Sequence, residues 1–274
     1  MTSKLNAARI IIHIILIIGA VAMVFPFLWM VLTSLKTMEE STRVPIVFFP
    51  QQPIWANYSG VLQLLPFFEF FMNTIIVAAA KIIGQLAFCS LAAYAFAKID
   101  FPGKHVLFVL SLAVLMVPGQ VYMLPQFLIM RDLHWLNTLK ALIVPGLFSA
   151  FGMFMLRQFF MSLPNELAEA AKIDGCNQFK IYWRIMLPLT VPGLMAVAIF
   201  TMLASWNDLM WPLIVNSSPD KMTLAVGLSL LQGQFTTNFP VLMAGSVMAT
   251  IPMLIIFIFF QRYFVEGISM TGSK

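Results

Sequence analysis

Long apolar windows alternate with short charged stretches along this chain, and their spacing predicts the elements. A membrane-spanning helix needs about 20 consecutive apolar residues. Arg9 to Lys36 brackets one such window, Glu69 to Lys98 a second with Lys81 inside it, and His105 to Arg131 a third. Lys140 to Arg157 brackets a shorter fourth, completed by Leu136 and Phe159. Arg184 to Asp208 brackets the fifth, and Lys221 to Arg262 more than covers a sixth. The expectation is an all-α membrane protein with six transmembrane helices in a single domain over residues 1–274. The first window is too long for a signal peptide, and no small-residue cleavage site follows it before Lys36.

One polar stretch, Asn165 to Pro188, breaks this pattern in a regular way. Ser162 suits a helix N-cap and Pro164 its first turn, where a missing N–H costs little. Ala-rich helix formers follow, with Glu166 and Glu169 at the positive N-terminal end. Gly175 suits the left-handed residue that ends such a helix, Asn177 caps a second one, and Pro188 stops it. The pattern predicts a short helix, a sharp turn and a helix leading into the fifth span. Residues 37–67, with four prolines and Trp55 to Tyr58, read as an ordered surface excursion, and Ser217 to Pro240 as a re-entrant or surface loop.

Composition agrees with the windows. The chain of 274 residues is 61% hydrophobic and 10% charged, against about 25% charged for a soluble domain. The formal net charge of +5 is explained by the excess of Lys and Arg in cytoplasmic loops, not by nucleic acid. With both termini inside, the cytoplasmic set is Lys4, Arg9, Lys98, Lys104, Arg157, Lys172, Lys180, Arg184, Arg262 and Lys274. The outer set is Lys36, Arg43, Arg131, Lys140 and Lys221. This asymmetry predicts cytoplasmic N and C termini and places the 165–188 stretch in the cytoplasm. Trp29, Trp135, Trp206 and Trp211 near span ends read as interface anchors. Cys89 and Cys176 have neither disulfide-framework nor metal spacing, and no metal site is expected.

Candidate chemistry inside the spans is sparse. Lys81 is an intramembrane charge, about 18 Å along a helix from Glu69 and too far to pair with it. It either faces a cavity or snorkels. Asn73, Gln85, Gln120, Tyr122 and Gln126 carry amide or phenol groups suited to sugar hydroxyls, though interhelical hydrogen bonding explains them equally well. Asn207 and Asp208, between Trp206 and Trp211, suit a gate or an interface. Prolines at 118, 125, 145, 192, 212 and 252 suit spans bent around a cavity.

Glu169-Ala170-Ala171, then Gly175, then Ile185-x-Leu187-Pro188 resembles the EAA motif of ABC-importer permease subunits. Asn73-Thr74, Leu91 to Ala97, Phe101 to Lys104, Pro118-Gly119-Gln120, Trp206-Asn207-Asp208, Thr223-Leu224 and Gln261 to Phe264 resemble the carbohydrate-uptake branch, close to its maltose-type second permease. Gly267 and Thr271 to Lys274 resemble that permease's tail. The resemblance implies a conserved-type permease core over residues 70–264 in a bacterial-type cell membrane. It implies a second homologous permease, two ATP-binding subunits, an extracytoplasmic solute-binding protein and a carbohydrate substrate. It also implies a cytoplasmic coupling helix between the fourth and fifth spans. Glu169, Ala170, Ala171, Asp174, Gly175, Leu187 and Pro188 would couple to the ATPase, with the alanines allowing close approach to it. Asn73, Gln120, Tyr122, Asn207 and Asp208 would line the substrate path. No cofactor is expected in this chain; ATP and Mg would sit on the partner.

Other classes fit less well. There is no GxxxxGK[ST] phosphate loop and no HExxH, and the three histidines are scattered, so a catalytic subunit is not expected. A secondary transporter has no need of the helix–turn–helix. A permease for glycerol phosphate, polyamine or peptide remains the alternative.

Overall fold

The computed structural model describes residues 2–233 and 236–272, with side chains for 9–233 and 236–261. The motif residues Arg262, Tyr263 and Phe264 and the tail residues Gly267 and Thr271 to Lys274 fall outside the described side chains, as do Lys4 and Gln234. The described residues form helices and no strand: α1 (Thr2–Ser34), α2 (Met38–Thr42), α3 (Ala56–Leu64), α4 (Phe67–Lys98), α5 (Lys104–Ala113), α6 (Gly119–Asp132), α7 (Leu139–Ile143) and α8 (Ala150–Ser162). There follow α9 (Glu166–Ile173), α10 (Gln178–Ile181), α11 (Leu187–Leu189), α12 (Val191–Trp206), α13 (Met210–Val215), α14 (Leu224–Ser229) and α15 (Phe239–Gly272).

Four stretches are long and apolar enough to cross a membrane: Arg9–Ser34, Phe67–Lys98, Leu139–Ser162 and Phe239–Gln261. Two expected spans are broken. The third bends by 99° between Lys104–Met116 and Gly119–Asp132, and the fifth by 77° between Gln178–Leu189 and Val191–Trp206. The first break falls at Pro118, which has no N–H to donate and forces its neighbour out of the helical region. Counted as single spans, the two bent pairs bring the total to six.

The chain divides into two compact units. The first comprises Met1–Phe67 and Gly227–Leu254. In it α1 is exposed on all faces from Ile10 to Leu28, as a helix surrounded by lipid should be. The excursion after it is ordered by polar contacts. Lys36 is buried, donates to the Val47 carbonyl at 2.6 Å and lies 4.1 Å over the Trp29 ring. Thr37 and Glu40 form a reciprocal capping box at the start of α2. Asn57 donates to the carbonyls of Ser34 and Lys36, and α3 packs Val61 against Val241 and Ala244.

The second unit comprises Phe68–Val226 and Ile255–Lys274. Lipid is as apolar as leucine, so close packing and hydrogen bonds hold spans together, and small residues mark the contacts. Gly193 is an example: a Cβ there would lie 2.6 Å from the Phe159 ring, so α12 can approach α8 this closely at that point only with a glycine. The core joins Cys89, Ala93 and Tyr94 of α4 to Met153, Leu156 and Phe160 of α8. A second cluster surrounds Leu142 and Trp211. Trp206 and Trp211 are buried in this unit, and Trp211 Nε1 donates to the Ala141 carbonyl at 2.9 Å. They are packing residues, not the interface anchors their position near span ends had suggested.

Candidate functional site

Two features carry the chemistry, both within the second unit. The first is the surface turn between α8 and α12. Its helix α9 starts at Glu166, later than the Ser162 cap expected from sequence. The Ser162 hydroxyl donates back to the Phe159 carbonyl and so closes α8 instead. Asn165 opens α9 through its backbone carbonyl, while its side chain is held by Lys98 at 2.6 Å. The end of α9 is as the sequence predicts. Gly175 adopts φ +80°, its N–H bonds the Lys172 carbonyl, and the Cys176 N–H bonds the Ala171 carbonyl. That pair is a Schellman cap, which satisfies two otherwise orphaned carbonyls. Asn177 then caps α10 by accepting from the Lys180 N–H at 2.8 Å.

Pro188 does not stop the second helix, contrary to the sequence expectation. The chain widens into a π-helical turn over Tyr182–Met186, and α11 carries Pro188 through to Leu189. The wider turn accommodates a ring that would clash with the carbonyl four residues back. The bend follows at Thr190, whose hydroxyl donates to the Met186 carbonyl at 2.6 Å.

This turn has two faces. Ala168 and Ala171 point inward and pack with Ile181, Tyr182 and Met186 in the core. Ala171 packs within its own chain, so of the motif's two alanines Ala170 is the one on the outer face. Outward lie Glu169, Ala170, Lys172 and Asp174, with Ile173 88%, Phe179 65% and Trp183 60% exposed. Leu187 packs against the core and Pro188 is exposed. Three residues of α4 hold the turn: Ser90 bonds Tyr182 at 2.7 Å, Tyr94 bonds Gln178 at 2.8 Å, and Lys98 bonds both the Leu163 carbonyl at 2.7 Å and Asn165.

The second feature is a cavity of about 350 Å³ among α4, α8 and α12. Lys81, Gln85, Ser149, Thr201, Ser205 and Asp208 supply its polar wall, and Phe151 and Phe200 an aromatic one. The two rings meet edge to face, centroids 5.8 Å apart. Lys81 Nζ lies 3.8 Å from the Asp208 carboxylate. Gln85 is held at both ends, donating to the Gly146 carbonyl at 2.9 Å and accepting from Thr201 at 2.7 Å. A neighbouring cavity of about 230 Å³, lined by Tyr122 and Gln126, shares Lys81, Gly146 and Asp208 with the first.

Residues 85–269 match the family described as "Binding-protein-dependent transport system inner membrane component". The arabinooligosaccharides transport system permease protein AraQ of Halalkalibacterium halodurans is 39% identical over 92% of this chain and 91% of its own length. The sulfoquinovosyl glycerol transport system permease protein SmoH of Agrobacterium fabrum is 35% identical over 91% of this chain and 88% of its own. A crystal structure of a bacterial ABC transporter involved in the import of the acidic polysaccharide alginate contains a chain that superposes with TM-score 0.82. It is 25% identical, covering 94% of this chain and 97% of that one. The chain belongs to the family of inner-membrane permeases of binding-protein-dependent transport systems.

The permease is thus a multi-pass membrane component of a transport system. Its sequence-predicted path residues divide between cavity wall and other uses. Asp208 lies at the junction of the two cavities, and Tyr122 lines the smaller one. Asn73 is taken up elsewhere, donating to the carbonyls of Asp220 and Met222 at 3.0 and 2.9 Å. Gln120 is exposed on α6, and Asn207 donates back to the Leu203 carbonyl at the end of α12. Sequence reasoning passed over Ser149, Thr201 and Ser205 and did not pair Lys81 with Asp208. One charge inside an apolar window and an opposite one at the end of another were the available signal, since a charge there is costly without a partner.

Proposed function

We propose that this permease forms half of the translocation path of an ATP-driven importer for a carbohydrate, delivered by an extracytoplasmic binding protein. A second homologous permease completes the path. Two ATP-binding subunits, which hold ATP and Mg, dock on the α9–α10 turn, and both termini and that turn face the cytoplasm. The observation that carries the coupling role is the exposed face of α9 and α10, where Glu169, Ile173 and Phe179 project from a turn tied to α4 at three points. Apolar knobs rimmed by charge suit a cleft on a partner protein. A turn braced in this way transmits displacement as a rigid body, which a flexible loop cannot do. The relatives named for arabinooligosaccharides and sulfoquinovosyl glycerol, together with the hydroxyl- and amide-lined cavity, support a saccharide over a polyamine or peptide.

The test is crosslinking from Glu169→Cys in the assembled transporter. Crosslinks to an ATP-binding subunit that change with nucleotide are expected. Crosslinks to the extracytoplasmic binding protein would overturn the orientation and the role together.

A further inference from the structure

The Lys81–Asp208 pair stands at the junction of the two cavities, and among the described residues neither forms another ion pair. Each side chain is only partly buried, at 12% and 28% exposed, and the 3.8 Å separation is that of an ion pair not closed into a short hydrogen bond. A hydroxyl can enter such a gap, accepting from the ammonium and donating to the carboxylate. Ser205 lies on the same wall. It is 6% exposed, and its Oγ has no hydrogen-bond partner among the described residues. Gln85 retains one amide N–H beyond its bond to the Gly146 carbonyl. Phe200 and Phe151 add apolar surface to the same cavity. The volume is at the small end of ligand sites, room for one ring and its substituents.

We infer that this wall is a subsite for a single uncharged, polyhydroxylated ring, and that the Lys81–Asp208 pair selects against anionic ligands. A carboxylate or phosphate approaching Lys81 must share it with Asp208. Two carboxylates in a partly buried site repel, and separating the pair leaves one charge uncompensated. Hydroxyls meet no such penalty, since they satisfy both members of the pair at once. The selection is a property of this chain's own charges. It rests on the carbohydrate reading above for its ligand class, while the charge readout below does not.

In the assembled transporter, with Cys89 and Cys176 replaced by serine, Ser205→Cys is reacted with anionic ethylsulfonate and cationic ethyltrimethylammonium methanethiosulfonates. Rates are corrected for each reagent's rate with free thiol. The corrected rates should agree within about threefold, because the pair is neutral overall. Lys81→Met should favour the cationic reagent by about tenfold, and Asp208→Asn the anionic one by a similar factor. The double variant, which restores neutrality, should return to parity and controls for misfolding. A ratio that neither single variant moves overturns the proposal. So does a Ser205→Cys thiol that neither reagent reaches while a cysteine at the fully exposed Asp100 (Asp100→Cys), away from the α9–α10 turn, reacts. Arabinotriose should slow the labelling and trigalacturonate should not, and equal protection by the two overturns charge selection. Protection by neither, with the ratios moving as expected, removes saccharide as the ligand and leaves the charge selection standing.

Discussion

Tyr182 and Ser90 meet through their hydroxyls 2.7 Å apart, both buried, so the π-turn behind the surface helix is bonded to the C-terminal third of α4. Ser90 also bonds the carbonyls of Leu86 and Ala87 within its own helix. Any displacement of the α9–α10 turn therefore reaches α4 through a hydrogen bond as well as through packing.

Tyr182→Phe removes that bond and keeps the ring that packs against Tyr94 and Phe160. The loss is about 0.5–1.5 kcal/mol, too little to unfold a helical bundle. The expected outcome is a transporter that assembles normally but transports less substrate per ATP hydrolysed. Comparing transport with ATPase rate in proteoliposomes checks this. An unchanged ratio would assign the contact to packing alone.

Gly175 separates backbone strain from crowding. Its φ is +80°, yet a Cβ there would meet nothing within 4 Å. Gly175→Val is therefore opposed only by the left-handed backbone, at about 1–2 kcal/mol. Asn tolerates that region better than β-branched residues do. Uptake should fall in the order Gly, Asn, Val at equal membrane abundance. Equal loss with Asn and Val would point to a steric role for the open face instead.

The contrast between this turn and the cavity explains what was legible in the sequence. Gly175, Asn177 and the glutamates of α9 act on neighbours within a few residues, so their order along the chain predicts their geometry. The proline marked the break at Pro118, but the size of that bend, and the bend at Thr190, were hidden because a charge-free window measures apolar length and is blind to direction. The burial of Ala171 and Trp211 was not legible, because which face of a helix is buried depends on partners remote in the chain. The same remoteness hid Lys81 from Asp208: one lies in α4, and the other follows α12 after two further spans have intervened.

Glu40 gives a pH dependence in the first unit. Its carboxylate accepts the backbone N–H groups of Thr37 at 3.1 Å and Gln51 at 3.0 Å. These donors, Thr37 first, hold its pKa below the usual value, with a smaller contribution from the Lys36 charge. A carboxyl with a depressed folded-state pKa stabilises above its unfolded pKa and loses that contribution as pH falls through the folded one. The tie between residues 37 and 51 should thus hold at neutral pH and open on acidification below about pH 4.3. Hydrogen exchange at the Gln51 amide, corrected for its intrinsic rate, should show protection falling in that window. In Glu40→Gln the acid step should vanish. A step that persists in that variant would have to come from another group.

Asn73 is the case in which a candidate for the substrate path has a measurable structural task. Its amide holds two successive parts of the 219–223 loop, through the carbonyls of Asp220 and Met222, and Thr74 beside it accepts the Leu224 N–H at 2.8 Å. Asn73→Ala leaves those carbonyls without their donor, at a cost of about 1–3 kcal/mol for the buried contact. Asn73→Asp should be worse, because it sets a carboxylate against two carbonyl oxygens. Lys221 lies within the loop and is partly exposed, so tryptic cleavage there reports its release. Cleavage should quicken from wild type to Asn73→Ala to Asn73→Asp, with retained affinity for the transported ligand in whatever folded protein survives. Weakened ligand binding with unchanged cleavage at Lys221 would return Asn73 to the substrate path.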